Sequence, residues 1–140
     1  MKKSTQELFD LLSKSTDFDI YMQTNTAEFI SESLPIILDN LLMQKHITKS
    51  TCILNSGLDR TYAYQIFSGL KKPSRDKLLA LCLGMQCSLD EVQTLLKRTG
   101  HPPLYPRTQR DCAIIYGFTH TLSIMQLNEL LYELNETSLQ

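Results

Sequence analysis

Glycine and helix-capping residues divide the middle of this 140-residue chain into short segments. A glycine ends a helix by adopting the left-handed backbone conformation that other residues avoid, and Gly57, Gly69 and Gly100 each follow a stretch with helical patterning. Side chains of Ser, Thr and Asp cap helix starts, and Thr48 and Asp59 stand just before two of these stretches. The pattern predicts a series of short helices joined by tight turns.

The first part of the chain carries a weaker form of the same signal. Ser4, followed three residues later by Glu7, forms a capping box and predicts a helix through about Leu12. Residues 15–25 are polar and mixed, so we expect a loop there, and a second short helix over residues 26–32.

The remaining sequence predicts helices throughout. Ser33 as a cap and Pro35 in the first turn predict the start of a stronger helix, with an apolar stripe formed by Ile36, Ile37, Leu41 and Leu42. Caps and apolar spacing predict four further helices, over residues 75–85, 88–99, 108–120 and 123–134. We therefore expect an all-α fold.

A shift of 35 residues aligns two stretches of the second half of the chain. The aligned positions include Arg75-Asp76 with Arg110-Asp111, Ser88 with Ser123, Gln93 with Asn128, Leu95-Leu96 with Leu130-Leu131, and Leu104 with Leu139. One interpretation is a duplicated helical hairpin that forms an interaction module. The other is that two amphipathic hairpins resemble each other because helix packing requires it.

The composition excludes several classes of protein. Hydrophobic residues make up 42% of the chain and charged residues 21%, which is typical of a folded domain and not of a disordered one. The apolar runs, such as residues 78–85, are far shorter than the ~18 residues of a membrane span. Residues 1–4 are not followed by the apolar stretch of a signal peptide. We therefore expect a cytoplasmic protein with no membrane partner.

No group of residues indicates catalysis or a bound metal. The histidines are scattered, and neither a nucleophile motif nor a phosphate-binding loop is present, so we expect no enzyme activity and no cofactor. The cysteines form no Cys-Xaa-Xaa-Cys pair and no zinc-ligand spacing. We expect them to be buried, reduced thiols: Cys52, Cys82, Cys87 and Cys112.

Positive charge is concentrated in one segment of the chain. The net charge is −1, but residues 44–77 carry seven basic and two acidic side chains between acidic flanks. This distribution favours a local anion-binding face. The alternative is an ordinary solvated surface.

Within that basic segment, residues 48–69 have the length and punctuation of two short helices joined by a tight turn. The segment resembles the phage-repressor-like (XRE, Cro-type) helix-turn-helix family over about residues 34–96. The matching elements are the Thr48-Lys49 opening, Gly57, the Asp59 cap, Gly69-Leu-Lys-Lys-Pro-Ser74 and Ser88-Leu-Asp-Glu91.

Two later stretches, residues 66–76 and 103–111, are similar to a bacterial subgroup of these regulators that has a helical C-terminal extension. The resemblance implies an all-α, lambda-repressor-like helix-turn-helix domain followed by a C-terminal helical hairpin. It also implies a sequence-specific, DNA-binding transcriptional regulator that is cytoplasmic and nucleoid-associated.

The resemblance assigns roles to individual residues. Helix 59–68 would read the major groove, with Ala63 and Ile66 facing inward. The predicted base-reading residues lie on the opposite, outward face and are Arg60, Thr61, Tyr64 and Gln65. The resemblance gives this role to Arg60, Thr61 and Gln65. The predicted phosphate contacts are Thr48, Lys49, Tyr62, Lys71 and Lys72.

Some positions depart from the family pattern. The family prefers a small residue at the position of Ile53, where the two motif helices approach each other, and Ala63 opposite compensates for it. Phe67 and Leu70 are apolar where the family often has polar residues, so we expect both to pack against the C-terminal extension. The tyrosines on the predicted recognition surface suit phosphate contacts, but tyrosine is also common at protein interfaces.

These observations predict three parts: a helical arm over residues 1–32, a DNA-binding domain over 33–100 and an extension over 101–140. The expected partners are double-stranded DNA, a second copy of the chain and a protein bound through the extension. We expect the extension to form the homodimer because its apolar residues need a covering surface. They are Ile114, Ile115, Phe118, Leu122, Leu127, Leu130, Leu131 and Leu134. The alternative function is a protein-interaction adaptor with little affinity for DNA.

Overall fold

The computed structural model describes residues 3–24 and 33–139. Within those two ranges the chain forms nine helices and no strand, which confirms the predicted all-α class. None of the helices in these ranges has the length and apolar character needed to cross a membrane. The chain divides into two compact units, Met1–Ser31 and Glu32–Gln140, and the second unit includes both the predicted DNA-binding domain and the predicted extension.

The first unit contains α1, Thr5–Lys14, and α2, Phe18–Thr24. The Ser4 side chain accepts a hydrogen bond from the Glu7 N–H, as the capping signal predicts, although α1 runs one half-turn beyond Leu12. The predicted loop over residues 15–25 is wrong, because the Asp17 carboxylate accepts a hydrogen bond from the Ile20 N–H and starts α2. The helix predicted over residues 26–32 lies outside the described residues.

The second unit contains seven helices within residues 33–139. They are α3, Leu34–Lys45; α4, Lys49–Ser56; α5, Arg60–Ser68; α6, Arg75–Gly84; α7, Leu89–Arg98; α8, Gln109–Thr119; and α9, Ile124–Glu133. The predicted starts at Thr48, Asp59 and Ser88 each carry a side-chain cap. Local capping therefore defines most of the helix boundaries.

The buried face of α3 differs from the predicted stripe. Ile37 and Leu42 are buried, as predicted, and Leu41 is half-buried. Ile36, however, is 58% exposed, and Leu38 is fully buried in its place. The predicted stripe is wrong at this position because residues 36–38 are all apolar, so the sequence does not show which of them faces the core.

Helices α4 and α6 approach each other closely at Gly84. A Cβ atom at this position would overlap the carbonyl oxygen of Cys52 and lie 3.2 Å from the Ser56 nitrogen. The Cys52 thiol donates a hydrogen bond to the Leu81 carbonyl of α6 at 3.5 Å. The small residue that allows two backbones to meet here is therefore on α6.

Three of the four cysteines are buried, as predicted: Cys52, Cys82 and Cys87. Burial raises the pKa of the Cys52 thiol to about 12, so this group stays protonated at neutral pH. The prediction is wrong for Cys112, which is exposed on α8. It lies between Asp111 and Ala113, both buried, and the helical turn points it outward.

Residues that stand 35 positions apart make the same contacts. The Gln93 amide donates to the Leu104 carbonyl at 2.9 Å and accepts from the Leu104 N–H at 2.7 Å. At the equivalent place, the Asn128 side chain accepts from the Leu139 N–H at 2.9 Å. Both α7 and α9 begin with a complete capping box. The structure thus supports the interpretation of a duplicated hairpin, with repeats over residues 75–104 and 110–139.

Two ion pairs connect these repeats reciprocally. Arg75 donates two hydrogen bonds to the Asp111 carboxylate, at 3.0 and 2.8 Å, and Arg110 donates two to Asp76, both at 2.9 Å. Each arginine also donates to two carbonyls at the end of its own repeat, those of Pro102 and Pro103 and those of Thr137 and Ser138. Because each repeat contacts the other in the same way, the two are related by a local twofold.

The apolar residues of the predicted extension belong to the core of the monomer. Leu127 and Leu131 have no exposed surface, and Ile114 is buried with them. The remaining members of the series are buried or half-buried. The expectation that this hairpin needs a second chain to cover it is therefore wrong, because its twofold partner is the preceding repeat.

We expect Gly84→Ala to destabilise the second unit by about 3 kcal/mol, because the added methyl group meets the α4 backbone. Chemical denaturation measures the change. Gly100→Asn is the matched control: no atom lies within 4 Å of its added Cβ, and Asn135 adopts the same left-handed conformation 35 residues later. A loss below 1 kcal/mol for Gly84→Ala contradicts the close approach.

We expect Asp111→Asn to lower the free energy of unfolding by about 2–3 kcal/mol at neutral pH, since it leaves Arg75 without its carboxylate. Burial raises the pKa of Asp111, but hydrogen bonds from Arg75 and the Tyr105 N–H outweigh burial and hold the pKa below its usual value.

The stabilisation is therefore complete above the ordinary carboxyl pKa and is lost as the pH falls through it toward the folded value. Unfolding of the wild type and the variant from pH 7 to pH 3 should show the difference shrinking. Asp39→Asn, in a half-exposed pair with Lys49, is the control and should change little. A difference that does not depend on pH would exclude this role for the Asp111 charge.

Candidate nucleic-acid interface

Helices α4 and α5 are joined by a tight turn and capped at both ends. Thr48 accepts the Thr51 N–H at the start of α4, and Gly57 ends the helix with a φ of 72°. The Asp59 carboxylate accepts the Tyr62 N–H at the start of α5. Gly69 ends α5 with a φ of 85°. These caps confirm the predicted punctuation of residues 48–69.

Helix α5 has one buried and one accessible face. Ala63 and Ile66 have no exposed surface and Phe67 is almost fully buried, so the inward face is as predicted. Arg60 and Thr61 are exposed. Tyr64 and Gln65 are half-buried on the same accessible side.

An open groove brings most of the predicted contact residues together. It runs beside α5, has a volume of about 530 Å³, and is lined by Lys49, Arg60, Thr61, Tyr64, Gln65 and Ser68. All four predicted base-reading residues and one predicted phosphate contact are therefore in one depression. Ser68 is the member of this lining that the sequence prediction missed.

Three cations of the second unit lie over aromatic rings of α5. Arg60 lies 5.7 Å from the centre of the Tyr64 ring. Lys49 of α4 lies 5.2 Å from the Phe67 ring, and Lys77 of α6 lies 5.8 Å from the Tyr62 ring. Such contacts restrain the cations without neutralising them.

Lys77 belongs to the basic segment but is not among the predicted contact residues. The sequence feature that could have indicated Lys77 is its position in the first turn of α6, shortly after residues 48–69. Lys49 has a second neighbour, since its ammonium lies 3.8 Å from the Asp39 carboxylate of α3. An acidic side chain therefore stands beside one of the predicted phosphate contacts.

The other predicted phosphate contacts lie outside the groove. The Thr48 hydroxyl is 2.8 Å from the Thr51 hydroxyl as well as capping α4. Tyr62 is half-buried under Lys77, and Lys71 and Lys72 are exposed in the segment after α5. The structure thus separates these residues from the groove but keeps them near the ends of α4 and α5.

The two apolar residues of α5 and its following segment behave differently. Phe67 is buried and carries Lys49 over its ring. Leu70 is 71% exposed, so the prediction that it packs against the extension is wrong. It follows Gly69, where the left-handed turn directs the chain away from the core.

The second repeat does contact this part of the molecule, at the turn between α4 and α5. A Cβ at Gly57 would lie 3.4 Å from a side-chain carbon of Ile124 in α9. A groove of about 510 Å³ beside this contact is lined by neutral side chains of both repeats and α4. Ile124 of the second repeat therefore packs beside the turn.

Within residues 3–24 and 33–139, no three His, Cys, Asp or Glu side chains come together as a metal site would require. The polar groups of the α5 groove are instead amide, hydroxyl, ammonium and guanidinium groups. No family model matches the chain, and comparison with curated proteins and with solved structures gives no match either.

Proposed function

We propose that the protein is a sequence-specific, DNA-binding transcriptional regulator whose α4–α5 pair is a lambda-repressor-like helix-turn-helix. The single observation that carries the proposal is the α5 groove, which gathers Arg60, Thr61, Tyr64, Gln65 and Lys49 on one accessible face. A helix with polar residues outward and a fully buried inner face is the form that enters the ~12 Å major groove of B-DNA.

The side chains in the groove have the chemistry of base reading. A guanidinium matches the two acceptors of guanine, and a glutamine amide matches the acceptor and donor of adenine. The Thr61 methyl group suits the methyl group of thymine. Arg60 and Gln65 are five residues apart on α5, so they would meet neighbouring rather than identical base pairs.

Lysines in and near the α4–α5 pair would supply attraction to phosphate. Lys49 lies at the start of α4, and Lys71 and Lys72 follow α5. Together with Lys77 they give this segment an excess of positive charge within a chain of net charge −1. Such a local field attracts DNA without making the whole protein bind polyanions.

A protein-interaction adaptor is the second candidate. The exposed Leu70, the half-buried tyrosines of α5 and the acidic flanks of the basic segment favour it. Binding to heparin at low salt separates the two functions, because a DNA-binding regulator binds with a steep dependence on salt and an adaptor hardly binds. Selection of fragments from a random DNA pool then tests sequence specificity directly, and a palindromic consensus would support a homodimer.

We expect Arg60→Ala and Gln65→Ala each to cost about 1–3 kcal/mol on the selected site and to relax the preference at one base pair. Titration of the selected site and of a scrambled duplex measures both effects. Thr94→Ala, on α7 and away from the α5 groove, is the control and should bind like the wild type. Equal losses on both duplexes would show that the two residues make only nonspecific contacts.

We expect Lys49→Ala, Lys71→Ala and Lys72→Ala each to weaken binding to all sequences to a similar extent. Each should also reduce the slope of log K against log salt by roughly one unit, because one phosphate contact is lost. Lys97→Ala, at the end of α7, is the matched control. An unchanged slope in all three variants would rule out the phosphate contacts.

A further inference from the structure

The first unit exposes an unusual amount of apolar surface. Among the described residues, fourteen large apolar side chains are exposed, and six of them lie within α1 and α2. Neither helix has a buried residue. Phe9 and Phe18 are each 63% exposed. This much exposed apolar surface on two short helices indicates an interaction surface.

The apolar residues of α1 form one continuous face. At 100° per residue, Leu11, Leu8, Leu12 and Phe9 follow one another over an arc of about 160°. Gln6, Asp10 and Ser13 lie on the opposite arc, where the Gln6 amide donates to the Asp10 carboxylate at 3.1 Å. The helix is therefore amphipathic but has no core of its own to cover.

The charges beside this face are self-complementary. Glu7 in the first turn and Lys14 in the last turn lie on the same flank, next to Leu11. When two identical helices pair antiparallel, residues of the same flank meet each other. A pairing centred on the apolar residues then places Lys14 within reach of Glu7 of the partner subunit, and the reverse pair forms at the other end.

We propose that α1 pairs antiparallel with α1 of a second copy of the chain, through Leu8, Phe9, Leu11 and Leu12 and two reciprocal Lys14–Glu7 ion pairs. The eight apolar residues that predict a dimer through the extension are buried or half-buried within the monomer, so they leave this role open. The inference rests on the proposed function in one respect: it supplies the twofold partner that a palindromic DNA site requires.

The test is self-association of the full chain, measured by sedimentation equilibrium without DNA. Leu12→Glu should yield a monomer, and Met125→Glu, an exposed apolar residue of the second unit, should leave the dimer unchanged. Circular dichroism and denaturation of each variant report whether the fold is retained. A wild-type chain that stays monomeric at tens of micromolar would overturn the proposal, as would a Leu12→Glu dimer.

Charge reversal tests the antiparallel arrangement. Glu7→Lys and Lys14→Glu should each weaken self-association about tenfold, because two attractive pairs become repulsive. An equimolar mixture of the two variants should recover dimerisation to within about threefold, since both pairs are then attractive. Each variant helix keeps its own terminal charges in the mixture, so recovery cannot come from a change in helix stability. Asp10→Lys, on the opposite arc, is the control.

Failure of recovery in the mixture would exclude the reciprocal ion pairs and the antiparallel pairing. DNA titration of the same samples separates this inference from the proposed function. A chain that dimerises through α1 without binding DNA contradicts the proposed function alone. A chain that binds the selected site as a monomer contradicts the dimer alone.

Discussion

The reciprocal pairs between Arg75 and Asp111 and between Arg110 and Asp76 connect the two repeats of the second unit. Each guanidinium donates hydrogen bonds to a carboxylate of the other repeat and to two carbonyls of its own repeat. Removing one guanidinium therefore leaves several acceptors without a hydrogen bond. The pairs also stand at the starts of α6 and α8, and α6 is the helix on which α4 rests. Helix α6 therefore carries the salt bridges between the repeats at its start and the close approach to α4 at its end.

Most of the fold follows from local signals, and its errors have local causes. Caps such as Ser88 and glycines such as Gly57 predict helix ends well, because each satisfies backbone groups or supplies a left-handed residue wherever it stands. Helix α2 was missed because its cap, Asp17, lies in a polar stretch with little apolar periodicity. The 35-residue repeat was visible in the sequence, but the ion pairs that join the two repeats were not. Whether Arg75 binds a carboxylate in its own repeat or the other depends on how two hairpins pack, which sequence spacing does not specify.

The candidate site, like the fold, was predicted where local signals decide it and not where helices contact one another. The inward and outward faces of α5 follow from helical geometry once Asp59 sets the start, so Ala63 and Ile66 were correctly placed. Contacts between helices were not predicted. Asp39 beside Lys49 and Lys77 over Tyr62 each join residues of two successive helices, across the short segment between them. The prediction for Leu70 is wrong for a related reason. Its apolar character predicted burial, whereas it follows the left-handed turn at Gly69 and is exposed.

Because α5 is short, the shape of its surface depends on the rest of the second unit. An isolated helix of nine residues is unstable in water, so α5 retains its shape only through its caps and its buried face. That face rests on the same core as α4, which in turn lies against α6 at Gly84. Ile124 of the second repeat closes the turn at Gly57. A substitution that destabilises the repeats should therefore weaken every proposed DNA contact of the α5 groove at once. A substitution of one groove residue should remove that residue's contact and leave the others.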